Sequence, residues 1–278
     1  MQVVSNGNVH MNIFDNIYEL SQFLKKDRKP GRDNSSETAS FDFSGTHSYE
    51  EALELMMYGD EDTLKSVMEE KTKLKINGNL GNVANKQQQK NDICGVIPNV
   101  PLYIIGTPKT MINITRDQPS HKIINIFLSM DCSAGVEKED ILKAGVKYLS
   151  VIDILEKKGY RCNLYAGVTT KYSSDRYYLM VRVKTDREPL NVKKICFTIA
   201  NPSFLRRIYF RWCEVFDFSQ DITCGYGQPL DTSFCKKDLE KELKDNYITW
   251  LYQDDSALKC DIETVLKRLE ESGINING

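Results

Sequence analysis

The chain has 278 residues, of which 41% are hydrophobic, so it can bury a sizeable core in one large domain or in a compact domain with an extension. Its formal net charge of −2 argues against a protein that coats nucleic acid through a general basic excess, although a local basic surface is still compatible with it. The eight cysteines form no Cys-x-x-Cys pair and the three histidines are far apart in sequence, which excludes zinc-finger and zinc-ribbon spacings and is typical of reduced thiols in a cytosolic protein.

Residues 1–43 are predicted to be an N-terminal arm and linker. A short amphipathic helix is expected before Lys26, and it would either pack on its own domain or dock on a partner. Residues 25–40 lose this periodicity and collect Lys, Arg, Pro, Gly, Asp, Asn and Ser, which predicts a linker or mobile loop. The apolar stripe of the helix consists of Ile13, Phe14, Ile17, Leu20, Phe23 and Leu24.

Residues 44–94 are predicted to form a helical hairpin and a flexible connection. Ser48 and Glu51 have the spacing of a capping box at the start of one helix, Gly59 is a suitable end, and a second helix begins near Asp60. Residues 77–91 are rich in Asn, Gly, Gln and Lys, which indicates a flexible connection.

Residues 95–278 are predicted to be one α/β domain that opens with a proline-rich segment. Three prolines within eleven residues exclude a regular helix or a central strand through residues 95–112. Because the segment is also apolar, we expect it to be an extended lid laid against the sheet.

A buried strand over residues 123–130 runs into Asp131, Cys132 and Ser133, and a long amphipathic helix follows from about Lys138 to Lys158. Open α/β sheets bind ligands where a parallel strand ends and a helix begins. Asp131 and Ser133 are therefore the candidate site residues at the edge of the sheet.

The remaining elements predict a mostly parallel sheet with an antiparallel hairpin at one edge. Residues 160–168 and 177–184 alternate as strands, and helices are expected over 191–200 and 261–272 with a last strand over 247–252. The pair Asp254 and Asp255 suggests either a metal ligand or, more commonly, a solvated turn.

A helix over residues 203–216 interleaves Arg206, Arg207 and Arg211 with aromatic residues. Cations beside aromatic rings can bind phosphates and stack bases, as in single-strand recognition. The alternative is an amphipathic helix whose apolar residues face the core while the arginines are solvated or paired with acids.

Asp131 and Ser133 resemble the opening of the metal-ion-dependent adhesion site of von Willebrand factor A-type domains, Asp-x-Ser-x-Ser, with Gly135 in place of the second serine. The resemblance covers residues 122–273 and implies a doubly wound α/β sheet. Thr169 and Thr170 lie within the predicted hairpin, so neither matches the threonine that completes the site in that family. With the second serine replaced, the site at Asp131 and Ser133 offers a hard cation too few oxygen ligands and is predicted to be degenerate. No cofactor is expected, and Mg²⁺ at this site is the alternative.

Three blocks, residues 44–60, 95–112 and 144–162, resemble an uncharacterised family encoded by tailed bacteriophages. This resemblance implies a viral protein made in the cytoplasm of a bacterial host, and no apolar run in the sequence approaches the length of a membrane helix. The family carries no established reaction.

Two classes of function follow from these observations. As a binding module, the chain would hold a phage or host protein, or a nucleic acid, during replication, assembly or inhibition of a host defence. The binding surface would be either the strand end around Asp131 and Ser133 or the helix with Arg206, Arg207 and Arg211, and single-stranded nucleic acid is the alternative ligand of that helix. As an enzyme, it would need a metal or an acid and base pair centred on Asp131. Binding is favoured because no complete catalytic set is visible.

Overall fold

The chain folds around a six-stranded mixed sheet. Residues 87–116 contribute a separate sheet of three strands. The computed structural model describes residues 1–73, 87–116, 123–133, 135–216, 230, 232–243, 247–251, 262–271 and 274. The strands are β1 Gln2–Asn6, β2 Val9–Phe14, β3 Gln87–Asp92, β4 Ile97–Pro98, β5 Met111–Arg116, β6 Ile123–Ser129, β7 Arg161–Tyr172, β8 Asp175–Lys184 and β9 Tyr247–Leu251.

The large sheet has the order β1-β2-β8-β7-β6-β9. The pairs β2/β8, β6/β7 and β6/β9 are parallel, whereas β1/β2 and β7/β8 are antiparallel. Counted from β6, the strands β8-β7-β6-β9 follow the order third, second, first, fourth. Asp131 follows the carboxyl end of β6, the strand whose neighbours are β7 and β9.

Helices cover both faces of the large sheet. The helices are α1 Ile17–Leu24, α2 Ser35–Thr38, α3 Phe41–Ser44, α4 Tyr49–Tyr58, α5 Glu61–Lys73, α6 Val100–Ile104, α7 Lys138–Lys157, α8 Val192–Ala200, a π-helical segment Phe204–Tyr209 that continues into α9 Phe210–Val215, α10 Thr232–Leu243 and α11 Ile262–Glu271. The main core includes residues of α1, α4, α5, α7, α8, α9 and α11, whereas α10 contributes Cys235 and Leu239 to a second core on the opposite face.

The side chains of β8 show why both faces of the large sheet are covered by helices. Tyr177, Leu179 and Val181 belong to the main core, and Tyr178 and Met180 belong to the second core. Since successive side chains of a strand point to opposite faces, a strand that is apolar at every position is buried on both sides.

Local capping explains several helix boundaries. The Ser48 side chain accepts a hydrogen bond from the Glu51 backbone N, and α4 ends at Gly59, whose φ is +99°. Asn191 caps α8 in the same way by accepting from Lys194 N. The predicted starts of α4 and α8 and the predicted end of α4 are therefore confirmed, as are α7, β7, β8, β9 and the closing helix α11.

The N-terminal prediction is right only in part. Helix α1 begins at Ile17, but residues 2–14 form the hairpin β1-β2, and β2 pairs with β8. The helix that was expected before Lys26 therefore covers only Ile17–Leu24, and its predicted first turn around Ile13 is part of a strand. For the same reason the antiparallel hairpin β7-β8 does not lie at an edge of the sheet, because β2 and β1 extend the sheet beyond β8.

The proline-rich segment also differs from its prediction. It contains the two-residue strand β4 and the short helix α6, and β4 joins β3 and β5 in a sheet of their own. The residues 87–91 that were expected to be a flexible connection form most of β3. Residues 77–86, Asp254 and Asp255 lie outside the described residues.

Candidate functional site

Asp131 lies at the carboxyl end of β6, where the sequence places it, but its side chain is buried. The residue is only 1% exposed. Its Oδ1 accepts a hydrogen bond from Thr169 N at 2.7 Å, and its Oδ2 accepts one from the Thr169 hydroxyl. The expectation of a carboxylate on the rim of the sheet is wrong, because the neighbouring strand β7 supplies two donors and encloses the group.

Burial raises the pKa of Asp131 and of two nearby thiols. Burial raises the pKa of Asp131 to about 7, and the hydrogen bonds from Thr169 only partly oppose this effect. Burial also raises the pKa of the Cys132 thiol to about 11 and that of Cys235 well above its usual value, and the nearby carboxylate of Asp131 adds to both shifts. These thiols are therefore protonated and weakly nucleophilic.

Replacing Asp131 with asparagine is expected to flatten the pH dependence of stability. Between its unfolded pKa near 4 and its native pKa of about 7, the native Asp131 holds a proton that the unfolded chain has lost, so native stability falls as the pH rises through this window. From pH 5 to pH 8 the loss attributable to Asp131 is about 2 to 3 kcal/mol. Urea unfolding of both chains at the two pH values measures it.

The exposed Asp33 provides a matched control for this substitution. An Asp33→Asn variant should keep the pH dependence of the original chain. Equal pH dependence in the Asp131→Asn variant and the original chain would contradict the assignment of the perturbed carboxyl group to Asp131.

Ser133 does not join Asp131 in a common site. It is exposed, and its hydroxyl accepts a hydrogen bond from Gly135 N at 3.4 Å within its own loop. Within the described ranges, no group of three or more His, Cys, Asp or Glu side chains is placed to hold a metal ion. The Asp131 carboxylate is instead engaged by Thr169, the residue that the sequence pattern set aside.

Arg207 is fully buried and holds the segment before α4 in place. Its guanidinium donates to the Thr46 hydroxyl and to the backbone oxygens of Ser36, Glu37, Ala39 and Thr46, at 2.8 to 3.3 Å. These acceptors come from residues 36–46, which include the end of the predicted linker and the short helices α2 and α3. Arg207 therefore holds this segment against the helix that follows Ser203.

Arg206 and Arg211 also bind backbone oxygens of other segments of the chain. Arg206, 3% exposed, donates to Phe43 O and Val136 O at 2.6 Å, and Arg211 donates to Leu24 O and Lys26 O at 3.1 Å. The prediction of a surface on which Arg206 and Arg207 meet nucleic acid is wrong, because both side chains are buried and their donors are engaged within the fold. The alternative, in which the arginines are solvated or paired with acids, holds only for Arg211, which pairs with Glu37 and Glu214 at 3.5 and 3.6 Å.

The segment that links β3 to β5 carries an unusual concentration of exposed apolar side chains. Of the fifteen large apolar side chains that are exposed in the described chain, seven lie between residues 93 and 105. We call this set the apolar surface 93–105; it consists of Ile93, Val96, Ile97, Val100, Tyr103, Ile104 and Ile105. Soluble monomers rarely leave such residues clustered in water, and clusters of this kind mark interaction sites. The expected burial of this segment against the large sheet is wrong.

One family model matches nearly the whole chain. A family model described as "Domain of unknown function (DUF7192)" matches residues 2–274. The chain belongs to this family. A search of curated proteins and a search of solved structures each found no match.

Sequence reasoning missed a polar network beneath α10 of this DUF7192 chain. Arg176 binds Asp238 through two hydrogen bonds of 2.6 and 2.9 Å, and the Tyr178 hydroxyl donates to the same carboxylate at 2.6 Å. The network attaches α10 to β8. Because its members lie about sixty residues apart, no local spacing in the sequence signals it.

None of the helices in the described ranges of this DUF7192 chain is both long enough and apolar enough to cross a membrane.

Proposed function

We propose that the protein is a binding module, not an enzyme, and that it holds a protein partner through the apolar surface 93–105. The observation that carries the proposal is the exposure of these side chains, which reaches 77% for Ile104 and 74% for Val96. Transfer of one such side chain out of water contributes about 1.5 to 3 kcal/mol to association. A surface of seven can therefore supply the free energy of a specific complex.

The state of the strand-end residues supports binding over catalysis. Asp131 is engaged by Thr169 and buried, so it is poorly placed to act on a dissolved substrate. The buried thiols near the sheet, such as Cys132 and Cys196, have pKa values raised by burial to about 11 and 12. Neither group has the exposure and lowered pKa of a nucleophile.

The large sheet is proposed to be a degenerate von Willebrand factor A-like domain. The order β8-β7-β6-β9 and the position of Asp131 after β6 support this proposal. The departures from the expected pattern are the strands β1 and β2, which extend the sheet beyond β8, and the enclosure of Asp131. A domain of this kind would serve as the scaffold that carries the apolar surface 93–105.

The proposed setting is the cytoplasm of a bacterial host infected by a tailed phage. Its support is the resemblance of residues 44–60, 95–112 and 144–162 to a family encoded by such phages. The partner would then be a phage or host protein that takes part in replication, assembly or host defence. The family match itself carries no activity.

Replacing Ile104 and Ile105 together with serine tests the proposal. We expect the double variant to bind its partner about 100-fold more weakly or worse, because two aliphatic side chains no longer leave water on association. The measurement is affinity capture of the tagged chain from host cells, followed by titration of the captured protein against each variant. Tyr58→Ser is the matched control, since Tyr58 is 78% exposed on α4, outside the small sheet. Equal binding by the double variant and the original chain would refute the proposal.

A further inference from the structure

The helix α10 covers its face of the large sheet alone among the helices that the structure describes. The main core on the opposite face contains buried side chains from α1, α4, α5, α7, α8, α9 and α11. To the second core α10 contributes the buried side chains of Cys235 and Leu239, beside which the partly buried Leu243 packs. Because elements with few buried apolar contacts open most easily, we expect α10 to open at a lower free energy than the helices of the main core.

Polar contacts attach α10 to β8. Asp238, which is 5% exposed, accepts two hydrogen bonds from the Arg176 guanidinium and one from the Tyr178 hydroxyl, at 2.6 to 2.9 Å. We call Arg176, Tyr178 and Asp238 the latch. The Arg176 guanidinium also lies 5.5 Å from the centre of the Phe234 ring on α10. Since hydrogen bonds to charged groups are stronger than neutral ones, the latch compensates for the small apolar contact of α10.

The sheet beneath α10 presents a strip of apolar side chains. Met11 and Ile13 of β2 lie in register with Tyr178 and Met180 of β8, and Val9 extends the strip along β2. These side chains share one face because alternate residues of a strand point to the same side of a sheet. None of the five residues is more than 7% exposed. Displacement of α10 would therefore expose a set of side chains that are now buried.

We propose that α10 is a releasable cover, which leaves the sheet when the latch breaks while the main core stays folded. Release exposes the apolar strip of β2 and β8, and closure conceals it. The contact between α10 and β8 therefore controls access to a second apolar surface of the protein. This inference is independent of the proposed function, because none of its residues belongs to the apolar surface 93–105.

Thiol labelling of the full chain measures the release of α10. Cys235 is fully buried on the inner side of α10, Cys162 and Cys196 are fully buried in the main core, and Cys94 is exposed. Iodoacetamide should modify Cys235 more slowly than Cys94 but about tenfold faster or more than Cys162 and Cys196, because these two become accessible only when the main core opens. Mass spectrometry of the digested chain gives the rate for each thiol.

Variants of the latch should raise the rate at which Cys235 is labelled. Asp238→Asn removes the charge at the centre of the latch, and we expect an increase of about tenfold. Tyr178→Phe removes a single hydrogen bond and should give a smaller increase, about threefold. Glu240→Gln is the matched control, because it neutralises an exposed carboxylate on the same helix and should leave the rate unchanged.

A variant of the main core distinguishes release of α10 from unfolding of the whole domain. Ile152 is fully buried on α7, and Ile152→Val should raise the labelling rate of Cys196 about three- to tenfold by destabilising the main core. The rate for Cys235 should change by less than about twofold, because the closed and the released forms both keep the main core. Equal increases at Cys235 and Cys196 would show that α10 separates only when the domain unfolds, and would overturn the inference. An unchanged rate for Cys235 in both Asp238→Asn and Tyr178→Phe would also overturn it.

Discussion

An Arg207→Ala chain is expected to lose about 3 to 5 kcal/mol of unfolding free energy, which is a large part of the stability of a typical domain. Arg207 is completely buried, and its five hydrogen bonds reach one hydroxyl and four backbone oxygens. Removing the guanidinium takes a donor away from each of these acceptors, and a buried acceptor that loses its donor is costly. Urea denaturation followed by tryptophan fluorescence measures the change.

Two further variants separate the buried hydrogen bonds of Arg207 from its charge. Arg187→Ala removes an exposed arginine and should cost less than about 0.5 kcal/mol. Arg207→Lys keeps the charge but has a compact ammonium in place of the planar fork, so it should recover only part of the loss. A loss below about 1 kcal/mol for Arg207→Ala would show that residues 36–46 do not depend on this side chain.

The second large effect is expected at the buried ion pair between Lys184 and Glu156. Both side chains are almost completely enclosed, at 2% and 0% exposure. Lys184 also donates to Cys162 O and Thr185 O at 3.0 Å. A Lys184→Met chain would retain a buried carboxylate without its counter-ion, and we expect it to lose about 3 to 5 kcal/mol of unfolding free energy.

The double variant Lys184→Met with Glu156→Leu tests the cause of that loss. Removing both charges takes away the uncompensated carboxylate, so the double variant should be more stable than Lys184→Met alone. Lys65→Met, which breaks the exposed pair Lys65 and Asp62, should change stability by less than about 1 kcal/mol. If the double variant were less stable than Lys184→Met, the buried charge would not be the cause. Chemical denaturation of all four chains provides the comparison.

Where local chemistry determines an element, the sequence is a sufficient guide. The cap at Ser48 and the stop at Gly59 depend on a few adjacent residues, and both are correctly predicted. The N-terminal region fails for a different reason. Ile13 and Phe14 combine with later positions into an apolar stripe at helical spacing, but both residues belong to β2, which pairs with β8. Tertiary pairing of this kind is not visible in a local window.

The candidate site shows the same division between local and distant effects. The sequence correctly puts Asp131 at the end of a strand, but the partner that encloses it, Thr169, comes from another strand of the sheet. The alternation of arginines and aromatic residues describes Arg207 equally well in a nucleic-acid surface and in a core. Its acceptors are backbone oxygens, which have no sequence signature of their own.

The pairing of β2 with β8 has a consequence for synthesis of the chain on the ribosome. Val9 lies in register with Arg176, and Arg176 N donates to Asn8 O, so the first hairpin emerges long before its partner strand exists. At translation rates of about 5 to 20 residues per second, the delay is on the order of ten to thirty seconds. During that interval Met11 and Ile13 have no β8 to pack beside, and a nascent chain of this kind is a natural client for a chaperone that shields apolar strands.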